Sequence, residues 1–258
     1  MPKMFAICGD SGSGKTTLAD ALGNYLTNST ILECDRYHKW ERGDTHWDKF
    51  THLNTSANYI SWMINDAMEL KAGNDIFCRD YDHKTGKFTE AKEIRSCENI
   101  ILCGLHTFYC PEDMFILKIF MDTADDLKTQ WKISRDTDKR GHSTKAVKDQ
   151  ILRRKEDYTK YLQPLIEQAD IIVNFCNEKD TDRIDSVKGI GRRLELFIKE
   201  PYDTTTIFKK FKDIGVSTDH PISSREGYTQ ISIKNYKKLD KNYYYDYVML
   251  CIQDMIAI

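Results

Sequence analysis

The segment GDSGSGKTT at residues 9–17 constrains the fold most, and it directly follows the apolar run MFAIC. Gly9, Gly14, Lys15 and Thr16 match the spacing G-x-x-x-x-G-K-S/T. Glycines permit a backbone whose N–H groups point inward at phosphate oxygens, and the following helix adds its positive end. The spacing therefore predicts a strand, a phosphate-binding loop and a helix. The alternative is a degenerate loop that binds no nucleotide.

Within such a loop each residue has an expected role. Lys15 would reach the β- and γ-phosphates of a nucleoside triphosphate, and the Thr16 hydroxyl would bind Mg²⁺. The backbone N–H groups would surround the phosphates. The predicted nucleotide-binding residues are Gly9, Asp10, Ser11, Gly12, Ser13, Gly14, Lys15, Thr16 and Thr17.

Apolar runs and helical spacing alternate along the chain up to about residue 176. The predicted strands after the first are STILECD (29–35), ENIILCG (98–104), FILKIFMD (115–122) and DIIVNFC (170–176). Helices are predicted at 55–73, after a capping pair of Thr123 and Asp126, and from about Ser143 to Tyr161. A turn at KTG separates two short extended pieces near residue 85. This order predicts an α/β fold, with helices on both faces of a mainly parallel sheet.

The character of the sequence changes after about residue 200. YTQISIKNY alternates and predicts an edge strand, while YYYDYVMLCIQDMIAI is compatible with helix or strand. We expect a core at 1–200 and a small C-terminal extension at 201–258 that packs on it.

The composition of the chain limits the classes of partner that it is expected to bind. The chain has 258 residues and a net charge of −2, so no basic field indicates nucleic acid or an anionic membrane. No secretory signal or membrane span is apparent, and the eight cysteines lack disulfide or zinc spacing. We expect a cytoplasmic protein that acts on a small molecule, with no nucleic-acid or membrane partner. A homo-oligomer is compatible with the sequence.

Asp35 is the first candidate catalytic residue outside the loop. It ends a predicted strand beside the phosphate-binding strand, at the carboxyl edge where ligands bind in open α/β sheets. A carboxylate there can accept the proton of an attacking hydroxyl, and it can also contribute to a Mg²⁺ site together with Thr16. The alternative is that Asp35 only caps a turn.

A series of motifs resembles the phosphoribulokinase/uridine kinase family of P-loop kinases. In order, the motifs are GDSGSGKTT, DRYH, YDHKTG, CGLH, KISRDTDKRGHS, LRRKEDYTKYLQP and ADIIV. The resemblance covers about residues 3–176 and implies a three-layer P-loop kinase fold that uses ATP and Mg²⁺. His38, Arg42, His106 and the Arg153–Arg154 pair are similar to the phosphoribulokinase branch.

The resemblance also implies roles for individual residues. Asp35 matches the general base, Lys132 and Arg135 match groups that stabilise the transferring phosphoryl group, and Asp136 matches a required carboxylate. Arg140 matches an ATP-binding arginine of a basic lid around 137–145, although a charged run can also be a solvated surface. The expected acceptor-binding residues are His38, Arg42, Tyr81, His83, Cys103 and His106.

One position departs from the family. Where the family carries Glu at the end of the central strand, this chain has Cys103, and a thiol is a poor ligand for Mg²⁺. We therefore expect a kinase acting on a sugar-like hydroxyl, with a pentose phosphate resembling ribulose 5-phosphate as the first acceptor. A uridine/cytidine kinase and a catalytically weak regulatory nucleotide-binding protein remain alternatives. A GTPase is disfavoured because no N-K-x-D motif is present.

Overall fold

The structure is a computed structural model, and it describes residues 1–140, 143–177, 192–216, 218–219, 223–235 and 241–256. The elements up to the central strand are β1 (Lys3–Gly9), α1 (Lys15–Tyr25), β2 (Ser29–Glu33), α2 (Ile60–Ala72), β3 (Ile76–Cys78), β4 (Tyr81–Asp82), β5 (Lys87–Phe88), β6 (Lys92–Ile94) and β7 (Asn99–Gly104). Those that follow are β8 (Leu117–Met121), α3 (Asp125–Arg140), α4 (Thr144–Arg153), α5 (Lys155–Asp157), β9 (Ile171–Asn177), β10 (Arg192–Lys199), α6 (Thr205–Asp213), β11 (Thr218–Asp219), β12 (Tyr228–Asn235) and α7 (Lys241–Ile256).

A sheet of eight strands organises the described residues, in the order β11-β12-β10-β9-β8-β1-β7-β2. The five strands from β9 to β2 are parallel, whereas β10 to β12 are antiparallel to their neighbours. Alternate residues of β1 face opposite sides: Phe5 and Ile7 join one core cluster, and Ala6 and Cys8 join another. Helices cover both faces, so the predicted α/β fold is confirmed.

Several element boundaries differ from the predicted ones. The predicted strand 29–35 stops at Glu33, and Asp35 lies in a 3₁₀ turn. The helix predicted at 55–73 begins only at Ile60, but it ends at Gly73 as expected, because Gly73 adopts the left-handed conformation. Ser143 accepts the N–H of Ala146 and caps α4. The predicted helix to Tyr161 continues past α5 as a π-helical turn.

Thr123 has a contact that its predicted capping role did not include. The Thr123 hydroxyl donates to the carbonyl of Ser13, 2.9 Å away. This bond joins the phosphate-binding loop to the segment between β8 and α3. The predicted capping of α3 by Thr123 stays a prediction.

The C-terminal residues join the same sheet and core. YTQISIKNY is not an edge strand, because β12 lies between β10 and the two-residue β11. The last segment is the helix α7, whose Tyr245 and Val248 pack in the core cluster that contains Leu18 of α1. In the parts of the chain that the structure describes, no helix has both the length and the apolar character needed to cross a membrane.

Candidate active site

A cavity of about 760 Å³ lies at the carboxyl ends of β1, β2 and β7. The parallel strands place their carboxyl ends at one edge of the sheet, and the start of α1 forms the floor. Of the predicted loop residues, those that line the cavity are Ser11, Gly12, Gly14, Lys15, Thr16 and Thr17. The predicted phosphate-binding loop therefore opens into a cavity large enough for a nucleotide and a small acceptor.

The loop geometry suits an anion. Gly14 caps α1 with φ +97°, a conformation that a side chain would strain, and it leaves the first N–H groups of α1 available to a ligand. The Lys15 ammonium donates to the carbonyl of Asp10, 2.7 Å away, and this bond joins the two ends of the loop.

Three predicted nucleotide-binding residues do not line the cavity. Gly9 is pressed against Met121, and Ser13 is fully buried with its carbonyl bonded to Thr123. The carboxylate of Asp10 accepts from Arg154 at 2.8 Å, and Lys128 lies 3.7 Å from it. These contacts join Gly9, Asp10 and Ser13 to the rest of the fold, and their predicted contact with a nucleotide stays a prediction.

Asp35 faces the cavity from the 3₁₀ turn after β2. His83 on the β4–β5 hairpin donates to its Oδ2 atom from 3.2 Å, and His38 Nε2 lies 3.6 Å from Oδ1. Burial raises the pKa of Asp35, but the hydrogen bond from His83 and nearby positive charge outweigh burial and hold that pKa well below its usual range. Asp35 is therefore ionised at neutral pH.

The tautomer of His38 follows from its neighbour Asn58. The Asn58 amide donates to the carbonyls of His52 and Asn54, so its oxygen must accept from Nδ1 of His38, 2.7 Å away. Burial lowers the pKa of His38, and the neutral ring presents the Nε2 lone pair beside Asp35. An acceptor of this kind suits a hydroxyl, whereas a contact from Nε2 to a phosphate would require a protonated ring.

An aromatic wall beside Asp35 was missed by sequence reasoning. Trp47 and His52 line the cavity, their rings lie 3.9 Å apart, and His52 stacks on His38 at 4.6 Å. Burial lowers the pKa of His52 well below its usual range, so this wall is uncharged. The richness of residues 38–52 in Trp and His was the available signal.

The predicted acceptor residues Arg42 and Tyr81 lie at the same end of the cavity. The Arg42 guanidinium donates to the carbonyls of His83 and Lys84, at 2.7 and 3.2 Å, and so holds the β4–β5 hairpin. Gly86 in this hairpin has φ +73°, and a Cβ there would lie 2.4 Å from the Cβ of Arg42. This glycine therefore permits the close approach that sets the position of His83.

Lys132, Arg135 and Asp136 of α3, whose roles the resemblance implies, all line the cavity. The Asp136 carboxylate accepts from Lys132 and Arg135, each at 2.9 Å, and Arg135 also donates to the Ser11 hydroxyl at 3.0 Å. Burial raises the pKa of Asp136, but the two donors lower it by more than burial raises it, and the resulting pKa is about 2. Burial and the charge of Arg154 lower the pKa of Lys132 to about 8, so it is mostly protonated at neutral pH.

The sequence model of the phosphoribulokinase/uridine kinase family matches residues 4–182. The chain belongs to this family.

Related proteins from both branches are similar to the chain. The chloroplastic phosphoribulokinase of Chlamydomonas reinhardtii is 29% identical over 76% of this chain and 57% of its own length. The uridine kinase of Borrelia duttonii is 29% identical over 67% of the chain and 86% of its own length. This chain thus spans little more than half of the algal relative.

A solved structure supports the fold. The phosphoribulokinase from Rhodobacter spheroides superposes with a TM-score of 0.77 at 20% identity, covering 99% of this chain and 96% of that one. At this identity the likeness establishes the P-loop kinase fold alone.

One predicted acceptor residue does not line the cavity. His106 is buried, does not line the cavity, and its Nε2 atom donates to the carbonyl of Leu53. Burial lowers the pKa of His106 to about 4, so it is a neutral group that fixes the segment next to His52. The predicted contact of His106 with the acceptor stays a prediction, although its ring lies outside the cavity wall. Arg140 lies at the end of α3, where the structure describes no side chain.

Cys103 lines the cavity and also belongs to a cluster of core residues. It is 4% exposed, and burial raises the pKa of its thiol to about 12, so it is a neutral group. Glu33 pairs with it in the parallel register of β2 and β7, and also lines the cavity. Burial and the neighbouring Asp35 raise the pKa of Glu33. Within the described part of the chain, the Glu33 carboxylate has no hydrogen-bond partner.

The side-chain oxygens of Thr16, Glu33 and Asp35 fit a Mg²⁺ ion that is held mainly by phosphates. Thr16, Asp35 and Glu33 all line the cavity, whereas the described residues contain no cluster of three His, Cys, Asp or Glu side chains arranged for a metal. Mg²⁺ is commonly bound by one or two carboxylates together with substrate phosphates and water. Glu33 is the carboxylate available where the family's Glu is replaced by Cys103.

We expect Glu33→Gln to weaken divalent-cation binding in the presence of ADP by about tenfold, because it removes a charged oxygen from the site. Mn²⁺ binding, followed by electron paramagnetic resonance, measures this directly. Glu90→Gln is the matched control, since Glu90 is exposed and outside the cavity. Equal Mn²⁺ affinity in both variants would remove Glu33 from the metal site.

Proposed function

We propose that this protein is an ATP-dependent kinase that transfers the γ-phosphoryl group to a hydroxyl of a sugar-like acceptor. The observation that carries the proposal is the position of Asp35. Its ionised carboxylate is paired with His83 in the same cavity as Lys15 and the Lys132–Asp136 pair. A base on one side and phosphate-binding cations on the other are what an in-line transfer requires.

In the proposed reaction, the acceptor oxygen bonds to the γ-phosphorus as the bond to the bridging oxygen of ADP breaks. The hydroxyl proton passes to Asp35. A carboxylate of low pKa suffices because the transition state is loose and needs little basicity from the attacking group. Lys15, Lys132 and Arg135 stabilise charge on the transferring group, and Mg²⁺ would neutralise the β- and γ-oxygens.

A pentose phosphate, such as ribulose 5-phosphate, is the proposed acceptor. Arg42 supplies a permanent positive charge at the acceptor end, beside a hairpin held near Asp35. Neutral His38 supplies an acceptor for a sugar hydroxyl. The relatives named phosphoribulokinase support this choice.

A nucleoside such as uridine is the second candidate acceptor. The chain covers 86% of the Borrelia duttonii uridine kinase, and the aromatic wall of Trp47 and His52 could stack on a pyrimidine base. A different candidate function is a regulatory nucleotide-binding protein of weak activity, for which Cys103 is the main support.

A coupled ADP-release screen over pentose phosphates, polyols, sugar acids and nucleosides tests both acceptors and the regulatory function. Turnover with none of them contradicts the proposed kinase.

Arg42→Ala separates the two kinase candidates. We expect it to raise the KM for a phosphorylated acceptor at least tenfold and to leave the KM for ATP nearly unchanged, because a charge-assisted contact to phosphate is lost. The measurement compares kcat/KM for a pentose phosphate and for the same sugar without phosphate.

The unphosphorylated sugar controls for the structural role of Arg42 in the hairpin. If both sugars lose the same factor, Arg42 only positions His83, and the phosphate contact is refuted. Lys39→Ala serves as the matched control variant, since Lys39 lies over Tyr59 outside the cavity.

Three further parts of the proposal concern the whole chain. Residues 137–145 would act as a basic lid that excludes water, although residues 141–142 lie outside the described part. Residues 1–200 would form the kinase core and 201–258 an extension. The eight free cysteines fit a reducing compartment such as the cytoplasm.

A further inference from the structure

The loop that carries the aromatic wall contains only one 3₁₀ turn as regular structure. Residues 44–54, which we call the acceptor loop, place Trp47 in the turn Thr45–Asp48 and His52 several residues beyond it. Both rings line the cavity. Because no helix or strand holds the two rings side by side, their position depends on contacts with other parts of the chain.

Two residues of the segment 153–157 hold the acceptor loop. The Asp157 carboxylate accepts from the Thr51 hydroxyl at 2.7 Å, and Arg153 donates to the carbonyl of Trp47. Each contact joins residues 106 positions apart in the chain. Arg153 is exposed, whereas Thr51 is 8% exposed and Asp157 is half-buried. The bond between Thr51 and Asp157 is therefore the better shielded of the two, and its acceptor is charged.

The backbone of the acceptor loop directs the Thr51 hydroxyl toward Asp157. The hydroxyl oxygen accepts the N–H of Leu53 at 3.2 Å, so its single hydrogen is left for the carboxylate. Leu53 is fully buried, and its carbonyl accepts from His106. His52 thus lies between two residues that are each fixed, one by Asp157 and the other by the core.

The same segment also reaches the phosphate-binding loop. Arg154 is buried, and its guanidinium donates to the Asp10 carboxylate at 2.8 Å. Residues 153–157 therefore contact both the loop expected to bind the nucleotide phosphates and the loop that carries the aromatic wall. A segment bonded to both loops sets the distance between them, and phosphoryl transfer depends on that distance because the reacting atoms must be held close and aligned.

We propose that Asp157 is a positioning residue for the acceptor: its bond to Thr51 fixes the acceptor loop, and with it the aromatic wall, relative to the phosphate-binding loop. The proposal rests on the proposed kinase function, because the wall is assigned to the acceptor by its place beside Asp35. Asp157 does not line the cavity, so it acts through Thr51 and not by contact with substrate. A wall that is ordered before the acceptor arrives lowers the free-energy cost of binding.

Steady-state kinetics with ribulose 5-phosphate, together with calorimetric titration with MgATP, test the proposal. We expect Asp157→Ala to raise the KM for ribulose 5-phosphate about tenfold and to leave kcat and the Kd for MgATP nearly unchanged, because the acceptor must then order the loop. Thr51→Val breaks the same bond from the other side and should have the same effect. Asp149→Ala is the matched control, since Asp149 is an exposed residue of α4 outside the cavity. An unchanged KM, or equal losses for both ligands, would overturn the proposal.

A double variant shows whether the two residues act through one bond. Thr51→Val combined with Asp157→Ala should raise the KM no further than either change alone, because two residues that share one contact do not act additively. Thr51→Ser keeps the hydroxyl and should retain the wild-type KM. Losses that multiply in the double variant, or a raised KM in Thr51→Ser, contradict a role through this hydrogen bond.

Hydrogen exchange followed by mass spectrometry measures the position of the loop without any substrate. Asp157→Ala should speed the exchange of amides in residues 47–54 and leave those of residues 9–17 unchanged. Where Asp157→Ala does not fold, Thr51→Val supplies the same readouts. Unchanged exchange at 47–54 refutes the proposal even if the KM rises. Faster exchange there, in a protein that phosphorylates no acceptor of the ADP-release screen, contradicts the kinase function and not the fixing of the loop by Asp157.

Discussion

Replacing Asp35 with Asn is expected to lower kcat by about 10²- to 10⁴-fold and to leave the affinity for ATP nearly unchanged. The amide keeps the shape of the carboxylate but cannot take the proton of the attacking hydroxyl. It also lacks the charge that pairs with His83 and lies near His38. Steady-state kinetics give kcat, and calorimetric titration gives the affinity for ATP.

The pH profile of the wild type adds a second readout for Asp35. Because its pKa lies well below the usual carboxylate range, Asp35 stays ionised as pH falls toward 4, and the loss of activity from its protonation should lie below that pH. Asp213→Asn, an exposed change at the end of α6, should leave kcat unaltered. Weakened ATP binding at an unchanged kcat in Asp35→Asn would make Asp35 a structural residue and contradict its assignment as base.

Lys15→Ala should reduce turnover by about 10²- to 10³-fold, because it removes a fixed positive charge from the β- and γ-phosphates. The lost hydrogen bond to the carbonyl of Asp10 should cost only about 1 kcal/mol of folding free energy, since the lysine is partly exposed. Thermal denaturation therefore separates the two effects: activity should fall steeply while the melting temperature changes little.

The control for Lys15 is Lys212→Ala, which removes an exposed lysine from α6, away from the cavity. Near wild-type turnover in Lys15→Ala would contradict the assignment of residues 9–17 as a working nucleotide site. Together, Asp35→Asn and Lys15→Ala separate loss of the base from loss of phosphate stabilisation, because we expect only the second to weaken ATP binding.

Much of the fold followed from local patterns. The strand, loop and helix at residues 3–25 were predictable, because G-x-x-x-x-G-K-S/T spacing, an apolar run and helical periodicity all lie within one short segment. The continuous apolar run at 98–104 predicted a central strand for the same reason. The helix α2 ends at Gly73 as predicted, because glycine adopts the left-handed conformation of a helix C-terminus without strain.

The edge-strand prediction failed because it depended on pairing with another part of the chain. The strand YTQISIKNY was predicted at an edge, but β11 pairs with its outer side. Other long-range contacts had no signal in the sequence. The Thr123 hydroxyl donates to Ser13, 110 residues earlier in the chain, and His106 donates to the carbonyl of Leu53.

The sequence by itself determined the chemistry that depends on residue type and short spacing: a phosphate-binding loop and the carboxylate Asp35 at the end of a neighbouring strand. Only the tertiary structure decided which groups surround them. It paired Asp35 with His83, joined Asp10 to Arg154, and brought Tyr245 to the loop at Gly14. Each of these contacts joins residues at least 48 positions apart, and no local periodicity encodes them. They arise because strands distant in sequence are neighbours in the sheet, and because a buried polar group without a partner costs free energy.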